Sequence, residues 1–201
     1  MESITMEQKM RRLAMALLAL GWLGGGAPVH AGGGQPQAKD IVLSGLSGRP
    51  AAGEPSSRQA GMSVSVLVAS AGGELIPRAA DAPFRTGERF RLRVLPTVNG
   101  TLVIANTNPA GLTREVLRLP VRAGLEALVP AGEDSEFQLV GQAGEDVLHL
   151  SLYAEGSRLP PENDAGAGAK DIRLVTQSTS DASYVVGETG RPLYTRVVVR
   201  H

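Results

Sequence analysis

The stretch Glu88–Leu95, "ERFRLRVL", decides how this chain is read. Phe90, Leu92 and Val94 alternate with Arg89, Arg91 and Arg93. Successive side chains of a strand point to opposite faces, so this period of two predicts a strand with its apolar face on a core and its arginines turned away. A turn follows at Pro96–Gly100. Asn99–Gly100 is a dipeptide suited to the positive-φ positions of a tight hairpin, and "TLVIAN", Thr101–Asn106, is the expected partner strand. "NTNPAG", Asn106–Gly111, supplies the next turn, with Pro109 pre-setting φ and Gly111 free to go left-handed.

The pattern continues in both directions. Upstream, "MSVSVLVAS" sets Met62, Val64, Val66 and Val68 against Ser63 and Ser65, as in a half-buried strand. Downstream come "LTREVLRL", "LEALVP", "EFQLV", "DVLHLSLYA", "DIRLVT", "SYVVG" and "LYTRVVVR", separated by Gly, Pro, Asn or Asp. No segment beyond residue 31 carries a helical period for four turns. The expectation is all-β: an antiparallel β-sandwich or partly open barrel of about 8–10 short strands over residues 62–201. Ser157–Lys170, "SRLPPENDAGAGAK", reads as a long mobile loop.

The first 31 residues read differently. Lys9, Arg11 and Arg12 precede an apolar run of eleven residues, Leu13–Leu23, and Val29 and Ala31 stand at the −3 and −1 positions of a small-residue cleavage site. That is the pattern of an export signal cleaved near Ala31, and the run is shorter than the roughly 20 residues a membrane span needs. The expected location is the periplasm or the exterior, with no transmembrane segment after cleavage. Residues 32–61 are rich in Gly, Pro, Ser and Gln and read as a flexible linker. One apolar run inside it predicts a short strand near residues 40–46. "AKDIVL" at Ala38–Leu43 matches "AKDIRL" at Ala169–Leu174 in five of six positions. The match does not extend further, so two strands of similar local chemistry are expected rather than a tandem repeat.

Composition removes several functions. With no cysteine there is no disulfide framework, thiolate metal site or cysteine nucleophile. The formal net charge of zero leaves no basic footprint for nucleic acid. The single tryptophan, Trp22, lies in the signal, so aromatic sugar platforms are scarce and the core must be aliphatic.

The stretch "FRTGERFRLRV" followed by "NGTLVIANTNPAG" resembles a bacterial family known as domain of unknown function 4384. The resemblance rests on Phe84, Gly87, Glu88, Phe90 and Leu92, then Gly100, Leu102, Ile104, Asn106 and Gly111, and spans roughly residues 75–155. Thr101 stands where members of the family often carry an aromatic. The resemblance implies a β-sandwich of exported or envelope-associated proteins, found as an accessory module beside peptidase-like or kinase domains. It carries over no catalytic residue.

The residues offer little chemistry of their own. His149 with Asp146 and Ser151 makes a poor triad, because Asp146 and His149 fall on opposite faces of one strand and no Gly-x-Ser-x-Gly elbow is present. Glu133, Asp134 and Glu136 form an acidic turn without the spacing of a Ca²⁺ loop. Glu133/Glu136 and Glu145/Asp146 are the dense carboxylate pairs, and turns explain both. No metal and no cofactor is expected. Arg85, Arg89, Arg91 and Arg93 present forked donors suited to carboxylate or phosphate, hence a candidate docking face for a partner or anion. The plain alternative is a charged face that guards a sheet edge. The expected function is an exported, non-catalytic accessory or protein-interaction module of the cell envelope, partnered by another envelope or exported protein. The alternatives are an envelope hydrolase using Asp146, His149 or the carboxylate pairs, and a β-sandwich that binds a small anion.

Overall fold

The computed structural model describes residues 37–47, 59–79, 82–132, 134–162, 175–178 and 181–201. The period-two stretches become strands in two antiparallel sheets. The first is built around β1 (Gln59–Ala69), which pairs on one side with β3 (Arg89–Pro96). On its other side β10 (Ser183–Glu188) takes the first half and β2 (Leu75–Arg78) the second. β6 (Ala127–Val129) and β7 (Phe137–Gln138) add to the far edge of β3, and β9 (Val175–Ser178) to that of β10. The second sheet runs β11 (Leu193–Arg200), β8 (Glu145–Ala154), β4 (Gly100–Thr107), β5 (Thr113–Val121). The result is the all-β sandwich expected, with eleven strands among the described residues.

Alternation decides what fills the space between the sheets. Met62, Val64 and Val66 of β1 and Phe90, Leu92 and Val94 of β3 meet Leu102 and Ile104 of β4, Leu148, Leu150 and Leu152 of β8, and Val197 and Val199 of β11. Each such side chain contributes roughly 1.5–3 kcal/mol by leaving water. β1 is central, and its second face is covered in the middle of the strand: Ser65 and Leu67 are buried while Ser63 stays half-buried, so the strand expected to be half-buried is buried on both faces over Val64–Leu67.

Three expectations change. β3 and β4 do not form a hairpin. Both edges of β3 are taken by β1, β6 and β7, and both edges of β4 by β5 and β8. Thr97–Asn99 therefore carries the chain from one sheet to the other. Thr97 Oγ1 accepts from Gly61 N at 2.8 Å, and Asn99 Oδ1 accepts from Ala123 N at 2.9 Å. Gly100 is needed for close approach: a Cβ there would stand 2.1 Å from the Tyr153 carbonyl oxygen.

The strand expected near residues 40–46 is instead a helix, α1 (Ala38–Ser47). Its burial follows a helical spacing: Ala38 and Val42 are buried, Leu46 partly, and Leu43 is exposed. α1 packs on the outer face of the first sheet against Val186 and Tyr184. Gly61 lets it close in, since a Cβ there would lie 2.8 Å from Val42 Cγ2. The domain thus reaches back into the segment expected to be linker, and β1 starts at Gln59. The second "AKDI" copy, residues 169–172, lies outside the described residues, as do the signal and residues 163–170 of the expected loop. Residues 157–162 run along β5, where Arg118 donates to the carbonyls of Pro160 and Pro161 at 3.2 and 3.5 Å.

Candidate functional site at the open end of the sandwich

Three alternating strands carry a polar residue where their inward-facing series leaves the core. β4 runs Leu102, Ile104, Asn106; β8 begins Asp146, Leu148, Leu150; β11 runs Val197, Val199 and on to His201. Register brings these ends together. Asn106 Nδ2 donates to Asp146 Oδ1 at 2.8 Å, and His201 Nε2 lies 2.9 Å from Asp146 Oδ2. A carboxylate only accepts, so Nε2 carries the proton. His201 Nδ1 then faces the Thr86 hydroxyl at 3.1 Å and is free to accept from it. The imidazole side chain is fully buried and that of Asp146 keeps 12% exposure. Because the amide nitrogen of Asn106 is committed to Asp146, Oδ1 points elsewhere, and it is buried with no hydrogen-bond partner.

Thr86 arrives on the turn that leads from Phe84 into β3. Phe84 is buried against Phe90 and holds the turn to the core, with ring centroids 5.8 Å apart. Gly87 has φ +88°, a conformation that disfavours any side chain. Glu88 accepts from Arg85 N at 2.9 Å and pairs with Arg78. Phe84 N also donates to the Arg200 carbonyl at 2.8 Å, which fixes the turn beside His201.

Next to this relay the sandwich opens into a cavity of about 320 Å³. Its walls are Phe90, Phe137, Leu139, Leu148 and Val199, with Val116 and Val140 at the rim and Asn106, Asn108, Gln138 and Asp146 among its polar lining. Val116 and Val140 are 47% and 69% exposed, so two apolar side chains stand at the mouth, beside the exposed Gln138. Val116 is the additional residue of a β-bulge: Ile104 pairs with Leu117 and Ala105 with Glu115. An apolar cavity with a few convergent polar groups is the usual form of a small-ligand site.

The arginine row is one face, as expected, but its members have separate structural partners. Arg89 lies 3.7 Å from Glu136 and Arg93 lies 3.9 Å from Glu126. Arg91 is buried and donates to the carbonyls of Pro130 and Gly132 at 2.9 and 2.8 Å. Arg85 is off the strand and exposed, lining an open cleft with Arg78 and Thr86. An anion at this face would have to compete with carboxylates already in place.

Asp146 and His149 lie on opposite faces of β8, as the alternation requires. His149 Nδ1 lies 2.6 Å from the Tyr194 hydroxyl, and Nε2 lies 2.8 Å from Thr107 Oγ1. Burial, and then the charge of Arg196, lower the pKa of His149; burial raises that of Tyr194. Ser151 is buried on the outer face that carries His149. Glu145 pairs with Arg200 at 3.2 Å rather than acting beside Asp146. Of the acidic turn, Glu136 faces Arg89 and Glu133 lies outside the described residues. Among the described residues no group of three or more metal-ligating side chains comes together, and no helix is long and apolar enough to cross a membrane.

No family model matches this chain, and neither a curated protein nor a solved structure matches it.

Proposed function

We propose that this chain is an exported, non-catalytic binding module of the cell envelope, and that the open-end cavity receives an apolar group of what it binds. The observation that carries the reading is the cavity itself: Phe90, Phe137, Leu139 and Leu148 line it, exposed Val116 and Val140 stand at its mouth, and Asp146 lies inside it. Export is supported by the basic, apolar and small-residue order of residues 9–31. One experiment tests both parts. Protein recovered from the periplasm of expressing cells should begin at Gly32. When titrated with 1-hexanol it should show amide shifts at Asn106, Gln138 and Val140, and V116W should abolish them by filling the mouth. An intact N-terminus in the cytosol overturns export; shifts unchanged by V116W overturn the cavity.

A second reading is favoured by one observation, the Thr86–His201–Asp146 chain. Its hydroxyl, imidazole and carboxylate stand in the order of a nucleophilic relay, with Nε2–H on the carboxylate and Nδ1 left to accept from the hydroxyl. A hydrolase working this way must cleave p-nitrophenyl acetate faster than its T86A variant.

A further inference from the structure

We infer that the ligand of the open-end cavity is a small molecule with an apolar body and a protonated amine head, the amine seated against Asp146. This deepens the binding-module reading and rests on it.

The size and walls favour a small apolar body. The cavity is about 320 Å³, near the lower end of ligand sites, and Phe90, Phe137, Leu139 and Leu148 offer it nothing to hydrogen-bond. The charge favours a cation. Asp146 is the sole ionisable residue of the lining. Flanking arginines are turned to other carboxylates: Arg200 to Glu145 and Arg89 to Glu136. His201 Nε2 fills one acceptor position of Asp146, and its other ring nitrogen is turned to the Thr86 hydroxyl rather than to the cavity.

The hydrogen-bond count favours a donor. A carboxylate has about four acceptor sites and can donate through none. Asn106 and His201 occupy two. The side chain keeps 12% exposure. A group that reaches it must therefore donate, and an ammonium does so with a charge-assisted bond in surroundings that strengthen it. A carboxylate or phosphate would meet the like charge of Asp146 there.

Three probes with one chain and different heads test this: hexylammonium, 1-hexanol and hexanoate, each titrated into the full chain at pH 7.5 and constant ionic strength. Amide shifts at Asn106, Gln138 and Val140 report the cavity. Hexylammonium should bind roughly tenfold more tightly than 1-hexanol, as a charge-assisted bond implies, and hexanoate should be the weakest. In D146N the ammonium should fall to the level of the alcohol. If 1-hexanol binds as well as hexylammonium, and V116W abolishes both, the amine inference fails while the cavity reading stands. If hexanoate binds best, the site takes anions and the inference is overturned. If no probe shifts the cavity residues, both readings fall together.

Discussion

The molecule holds two histidines in its described residues, and each stands between two polar neighbours. His149, on the outer face of the second sheet, has a hydroxyl at either ring nitrogen, Tyr194 and Thr107. His201, at the open end, has a hydroxyl at one and the Asp146 carboxylate at the other. The difference lies in what each environment can tolerate. On the outer face the partners are alcohols that donate or accept and turn as needed. At the open end, Asp146 can only accept and His201 is fully buried, so the bonds depend on one another. A polar network that must be complete is costly to break, whereas one that can rearrange is not.

The largest expected effect is therefore at Asp146. D146A removes the acceptor of His201 Nε2–H and of Asn106 Nδ2 together. Two donors left without partners in a buried site should cost about 3 kcal/mol in urea unfolding. D146N restores one acceptor and should recover about half of that loss. A loss from D146A no greater than that of H149A would show that water already satisfies the open end, and the contrast would collapse.

That contrast bears on how much the sequence could reveal. Strand faces were legible because the side-chain period of two is local: Phe90, Leu92 and Val94 alternate wherever the strand pairs. Partner choice is not local. Asn106–Gly111 does join a paired β4 and β5, with Gly111 N donating to the Asn108 carbonyl at 2.8 Å, while Asn99–Gly100 crosses between sheets. The sequence signal at the two turns is of the same kind. Whether neighbouring strands meet edge to edge or face to face depends on which other strands occupy their edges. The helix α1 hides in the sequence for a related reason. "DIVL" satisfies either period, and only the wider spacing Ala38, Val42, Leu46 separates them.

The open end was half legible. Asp146 stands out as a carboxylate, but the histidine near it in sequence is His149, three residues away on the opposite face of the strand. Its partner His201 is 55 residues away in sequence. A usable signal was present: Asn106, Asp146 and His201 each extend an inward-facing alternation by one polar residue. Polar groups in that position must find one another or water. Thr86 left no such mark, because it sits on a turn placed by contacts of Phe84 and Glu88 that only the folded chain makes.

On the outer face the expected effects are smaller and depend on pH. H149A removes two hydrogen bonds at a partly exposed site and should cost about 1 kcal/mol. Burial and Arg196 hold the His149 pKa below its ordinary 6.5 in the folded protein. Between that depressed value and 6.5 the unfolded chain binds more protons, so stability falls as pH drops through this window. Above 6.5 neither state is protonated and the contribution is constant. Thermal unfolding of wild type and H149A from pH 7.5 to 5 isolates the effect: the wild type should lose more stability than the variant. Parallel curves would mean that the imidazole titrates as freely in the fold as in the unfolded chain.

The smallest expected change is also the one that separates binding from catalysis. Thr86 is exposed, and its hydroxyl meets His201 Nδ1 at the surface end of the relay. Water can replace that contact in T86A, so stability should move by no more than about 0.5 kcal/mol. A near-neutral change in stability leaves any change in chemistry readable. For a binding module, p-nitrophenyl acetate hydrolysis should be equally slow in wild type and T86A, and the 1-hexanol shifts at Asn106, Gln138 and Val140 should be the same in both. For a nucleophilic relay, T86A should abolish hydrolysis while T86S, which keeps the hydroxyl and sheds the hindering methyl, should retain or exceed the wild-type rate. That result would transfer Asp146 and His201 from a structural clamp to an active site, and the contrast with His149 would become one of function as well as of solvation.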